Sequence, residues 1–284
     1  ILGMFLYLTL MAEAFCGYLL PWGQMSYWGA QVIISLFGAI PFVGETLSLW
    51  IRGDYVVSDI TLNRFFSFHV IALPFAIAGL VVLHIIALHE VGSNNPDGVE
   101  IKDNKDADGK PVDGIPFHPY YTVKDSMGVV AFLILFSAVV FFAPEFGGWF
   151  LEHNNFVPAD PLKTPDHIVP VWYFTPFYAI LRAVPDKLFG VLAMGAATMV
   201  FFLLPWLDRS PVRSIRYRGP IFKTALVLFV ISFISLGYLG TQNPTSLYTW
   251  LARGFSLIYF GFFLLMPFYS KADKNKPVPD RLTG

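Results

Sequence analysis

This sequence predicts an all-α integral membrane protein, with about six transmembrane helices and short amphipathic helices at the membrane surface. Composition is the first observation behind that prediction. Of 284 residues, 55% are hydrophobic, 17% aromatic and only 14% charged, where a soluble domain carries about 25% charged residues. The second is six long apolar runs, since about 20 apolar residues cross a bilayer as one helix. The third is the run FFSFHVIALPFAIAGLVVLHIIALHE (65–90), which holds His69 and His84 and ends on His89 and Glu90. Histidine inside such a run is costly and usually functional.

The spans fall at roughly 1–19, 65–89, 126–144, 188–207, 221–240 and 248–269. The first begins ILGMFLYLTLM, without the basic flank or small-residue cleavage site of a signal peptide. The chain is therefore expected to start inside a membrane helix, with an N-terminal part missing. Residues 20–64 are too broken by Gly, Pro and polar residues to span. They read as short surface helices, and Trp22, Trp28 and Trp50 suit the membrane interface. The polar insert VEIKDNKDADGKPVDG (99–114) reads as a solvated loop or small hairpin, and 145–187 as a second long extramembrane segment, rich in Pro and aromatics.

Basic residues set the expected orientation. The 90–125 loop, the 208–223 loop and the tail fall on one side of a six-span chain and hold 13 of the 19 Lys and Arg residues. By the positive-inside rule that side is cytoplasmic. His69 then lies near the outer surface, and His84 and His89 near the inner one. The near-zero net charge of −1 argues against a nucleic-acid partner. Cys16 is the only cysteine, which excludes an intrachain disulfide, a thiolate cluster and covalent haem attachment.

His69 and His84 are 15 residues apart, so in a regular helix they sit about 60° apart around the axis and about 22 Å apart along it. That suits two stacked metal centres and not one shared site. A pair of histidines bonding neighbouring helices is the competing reading.

Five ordered segments resemble cytochrome b, the haem and quinone subunit of quinol:cytochrome c oxidoreductase (respiratory complex III). They are GYLLPWGQMSYWGAQVI (17–33), RFFSFHVIALPF (64–75), LHIIALHEVGSNNP (83–96), IPFHPYYTVKD (115–125) and PVWYFTPFYAILRAVPDK (170–187). The resemblance implies the third to eighth of the family's eight helices in a bacterial-type, N-terminally truncated chain. Residues 1–90 would be the C-terminal part of the haem-binding N-terminal domain, 91–125 a cytoplasmic loop and 126–284 the C-terminal domain.

It also implies two non-covalent b-type haems. His69 would ligate the outer, low-potential haem iron and His84 the inner, high-potential one, each with a second ligand from the missing part. Arg64 would balance a haem propionate or, equally, snorkel at the interface. The family's mitochondrial members have one residue fewer between these histidines, so a local helix adjustment is expected near Pro74 or Gly79. The inner quinone-reduction site carries over as His89, Ser93, Lys124 and Asp125. A histidine and a carboxylate there can deliver the protons that quinone reduction requires.

The outer quinol-oxidation site carries over as Gly23, Pro170, Val171, Trp172, Tyr173 and Tyr178. Gly23 is expected to leave room for the quinol ring and Tyr178 to act in catalysis. Here the sequence departs from the family, because Val171 stands where PEWY has its glutamate. Glu13, in the apolar first helix, is the expected substitute proton acceptor, against the plainer reading of a carboxyl bonded to a neighbouring helix.

The resemblance implies an oxidoreductase subunit, active only within its complex. It would oxidise quinol outside and reduce quinone inside, with transmembrane electron transfer and proton translocation. The implied partners are a Rieske Fe–S protein, a membrane-anchored c-type cytochrome, a second copy in a homodimer and membrane lipid. The implied location is the bacterial inner membrane. Rival readings are the cytochrome b of a photosynthetic plastoquinol complex, and a proton-coupled transporter using His69, His84 and Glu13 as a relay.

Overall fold

Asp59 to Val91 form one 33-residue helical run, in three pieces. Helix α4 (Asp59–Ser67) passes into a π-helical turn at Phe68–Ala72, and α5 (Leu73–Val91) continues from it. The Leu73 N–H donates to the Phe68 carbonyl, five residues back. Pro74 explains the widened turn: it has no N–H to give Val70, and its ring crowds the carbonyl four residues before it. The adjustment expected near Pro74 or Gly79 thus sits beside Pro74 and contains His69, while Gly79 lies in regular helix.

The computed structural model describes residues 1–282 and has no strand among them. In chain order, α1 is Leu2–Leu19, α2 Gln24–Phe37 and α3 Gly44–Arg52, followed by α4 and α5. Then come α6 (Tyr120–Phe142), α7 (Thr175–Ala183), α8 (Lys187–Met199), α9 (Leu204–Leu207), α10 (Pro220–Thr241), α11 (Ser246–Leu264) and α12 (Met266–Ala272). Among the described residues, six helical runs are long and apolar enough to span a membrane: α1, α4–α5, α6, α8–α9, α10 and α11. They match the six apolar runs of the sequence. The second and third begin six residues earlier than expected, because the polar stretches DITLN and YYTVKD also fold as helix.

The chain divides into two units. The first comprises Ile1–Ser93, Asn154–Ser210 and Pro220–Asp273. It holds two apolar clusters. One packs Phe177, Ile180, Leu236, Tyr259 and Phe263 from α7, α10 and α11, with the Tyr259 hydroxyl donating to the Ala197 carbonyl at 2.8 Å. The other packs Leu19, Tyr27, Ile34, Val57 and Phe65, together with the free Cys16. Residues 155–163 clasp the start of α2. Asn155 Oδ1 accepts from the Ser26 N–H at 2.8 Å and caps that helix. The Gln24 side chain bonds both Asp160 and Lys163.

The second unit comprises Asn94–His153, Pro211–Gly219 and the tail from Lys274. Its centre is Asp97, 1% exposed, which accepts from Arg216 Nη1 at 2.6 Å and from the Tyr217 hydroxyl at 2.8 Å. The polar insert folds as a tight turn. Asp106 Oδ1 accepts from the Asp108 and Lys110 N–H groups, both at 2.9 Å, and Gly109 takes the left-handed conformation at φ +78°. Arg281 of the tail bonds Asp113 at 2.6 Å.

Candidate functional site

Both transmembrane histidines turn toward α1. A Cβ built on Gly17 would lie 2.8 Å from His69 Nδ1, and one on Gly3 3.6 Å from His84 Cε1. Two glycines fourteen residues apart on α1 therefore meet two histidines fifteen apart on the α4–α5 run. The π turn reconciles the two spacings by absorbing the extra residue. Absence of a Cβ at each glycine opens a notch beside each imidazole.

His69 also meets Glu13. Its Nδ1 lies 3.0 Å from Glu13 Oε1 and 3.1 Å from the Glu13 carbonyl. Glu13 Oε2 is buried without a hydrogen-bond partner. Arg64, five residues before His69, donates from Nη1 to the Trp50 carbonyl, tying α4 to the last turn of α3, and Gly53 packs on the guanidinium.

An apolar cleft of about 350 Å³ opens among α1, α2, α7 and α8. Pro170, Val171 and Tyr178 line it, as does Phe174. Trp172 and Tyr173 do not, and both are exposed. From α1 the wall takes Met11, Ala12, Phe15 and Tyr18. Glu13 stands about 100° around the helix from Ala12 and about 160° from Phe15, which carries its carboxyl to His69 instead. Glu13 itself does not line this cleft. No carboxylate lines the cleft among the described residues.

Gly23 does not line the cleft either. A Cβ on Gly23 would lie 2.5 Å from the Asn155 carbonyl, so the missing side chain makes room for the backbone of the 155–163 loop. The glycine that lines the cleft is Gly29, where a Cβ would meet Tyr18 at 3.7 Å.

Tyr178 is held from behind. The Arg182 guanidinium lies 4.5 Å from its ring centre. Arg182 in turn donates to the Leu239, Gly240 and Gln242 carbonyls at the C-terminal end of α10, at 2.7, 3.1 and 2.9 Å. Burial lowers the pKa of Arg182, and the nearby Tyr178 acts in the opposite sense.

His89 and Ser93 are exposed at and just beyond the end of α5 in the first unit. Lys124 and Asp125 are exposed in the early turns of α6 in the second, with Lys124 Nζ 5.6 Å from the Tyr121 ring centre.

The sequence matches two family models: cytochrome b (N-terminal)/b6/petB over residues 1–149 and cytochrome b (C-terminal)/b6/petD over 158–260. It is 62% identical to the cytochrome b of Allochromatium vinosum over 291 aligned positions, covering 100% of this chain and 70% of that protein. The chain belongs to the cytochrome b family. A cytochrome b of Rickettsia bellii is 50% identical, covering 99% of this chain and 68% of the relative. The fold matches a solved chain of a hyperthermophilic respiratory complex III with a TM-score of 0.85 and 40% identity, over 95% of this chain and 69% of that one. Family membership carries b-type haem binding. The residues present fit a haem: each histidine offers a ring nitrogen at its own level of the helix pair, and the α1 residue each ring meets is a glycine, with no side chain to crowd it. Among the described residues, no group of three or more His, Cys, Asp or Glu side chains offers another metal site.

Proposed function

We propose that this chain is the haem and quinone subunit of a bacterial complex III. Quinol would be oxidised in the apolar cleft and quinone reduced at the opposite membrane surface, with electrons crossing the membrane and protons released outside. The observation that carries the reading is the pairing of His69 with Gly17 and His84 with Gly3, at two depths of one helical pair. The 40% identity to a complex III chain supports it.

His69 and His84 would each hold one b-type haem through a ring nitrogen. Bound haem would supply a one-electron carrier at each depth. Arg64, at the His69 end of the run, stays assigned to a propionate there. The cleft would take quinol by burying its ring and tail among Val171, Phe174 and Phe15. The Tyr178 hydroxyl, with only a 3.5 Å contact to the Ile168 carbonyl, is free to bond a quinol oxygen. With no carboxylate on the wall among the described residues, the proton acceptor would be water or a group brought by a partner, such as the Rieske protein.

His89 and Ser93 would bind the quinone being reduced, and Lys124 and Asp125 take the same role on the resemblance alone. The c-type cytochrome and a second copy of the chain complete the proposed assembly. Residues 1–90 and 126–284 are assigned to the family's two domains, with 91–125 between them, and the basic loops to the cytoplasmic face of the inner membrane.

The test is optical. Adding quinol to membranes that hold the assembled complex should produce a reduced b-haem band, and a cleft-directed inhibitor should slow its appearance. A proton-coupled transporter would give no such band, and its absence would contradict the proposal.

A further inference from the structure

Glu13 and Gly17 are one helical turn apart on α1 and share a face, and the His69 imidazole lies against both. Two oxygen acceptors meet His69 Nδ1: the Glu13 carboxylate at 3.0 Å and the Glu13 carbonyl at 3.1 Å. Acceptors on Nδ1 fix the tautomer with its proton on Nδ1 and leave Nε2 with a free lone pair. The carbonyl alone is enough for that. The carboxylate adds a negative charge in a membrane helix, where it is expensive. Its second oxygen has no hydrogen-bond partner, so no donor besides His69 is seen to hold it.

We infer that Glu13 is a positioning residue for His69: it accepts the Nδ1–H bond, orients the ring and lowers the reduction potential of the haem held through Nε2. The inference rests on the haem reading above. A carboxylate partner makes a ligating imidazole more basic and stabilises the more positive, oxidised iron. Charge-assisted hydrogen bonds are roughly twice as strong as neutral ones, so removing the charge should change the oxidation equilibrium by about tenfold, or about 59 mV for a one-electron couple.

The experiment is an optical redox titration of the purified complex carrying Glu13→Gln, Glu13→Asp or Glu13→Ala, beside His69→Ala and wild type. The haem component lost in His69→Ala identifies the one on this histidine. In Glu13→Gln that component should be about tenfold more reduced at the wild-type midpoint, while the other component stays fixed. Glu13→Asp should lie between wild type and Glu13→Ala. Unmoved potentials with full haem content, or an equal shift of both components, would overturn the inference. If Glu13→Gln does not assemble, the order of the Asp and Ala variants decides, and equal potentials there overturn it too. A His69→Ala complex that keeps both components would instead refute the haem reading itself.

Discussion

A methyl group on Gly17 would lie 2.8 Å from His69 Nδ1, closer than carbon and nitrogen can approach, whereas one on Gly3 would sit in ordinary contact with His84, at 3.6 Å. The two glycine–histidine pairs therefore tolerate substitution differently. Gly17→Ala should displace the His69 ring, cost about 1–3 kcal/mol in overpacking and deplete the haem on that histidine. Gly3→Ala should leave haem content near normal. Haem-to-protein ratios of the two purified variants check the contrast.

Gly29 supplies a prediction for the cleft. A Cβ there meets Tyr18 at 3.7 Å, so Gly29→Ala fits without moving the backbone. The methyl projects into the cleft wall and should weaken binding of ring-shaped cleft ligands several-fold, with the quinol-oxidation rate at saturation nearly preserved. Gly29→Leu should fill the cleft and abolish oxidation. Inhibitor titration and KM measured on the complex separate the two outcomes.

Asp97 anchors the second unit. It is 1% exposed and bonded to Arg216 and Tyr217. Asp97→Ala leaves both donors without their acceptor and should destabilise the 211–219 loop by about 1–3 kcal/mol. Trypsin should then cut after Arg213, Arg216 or Arg218 about tenfold faster than in wild type, while Asp97→Asn should show a smaller effect.

The tail answers to pH. The hydrogen bond from Arg281 is the main cause of a lowered Asp113 pKa, below its ordinary 3.8. A lowered carboxyl pKa means the tie is fully present above 3.8 and is lost as pH falls through the lower folded value. Asp113→Asn should release the tail at neutral pH, seen as faster carboxypeptidase trimming. Wild type should release it only in acid below 3.8.

The spans were legible because a membrane run announces itself by length and apolarity alone. The depths of His69 and His84 followed from the helix rise. What stayed hidden was direction around the axis. Helix α1 is apolar on nearly every side, so its pattern marks no inward face, and whether Glu13 met the cleft or His69 could not be read. The π turn was located only to a neighbourhood, since Pro74 marks where a helix is disturbed but not how. The packing of Gly23 against Asn155 could not be read because it joins residues 132 apart in the chain, and nothing local records it.

The most direct test is a potentiometric titration of the b-haem spectrum in complexes carrying His69→Ala or His84→Ala. Wild type should resolve two components. His69→Ala should lose the low-potential one and keep the other, and His84→Ala should do the reverse. Two intact components in either variant would contradict the assignment of one haem to each histidine.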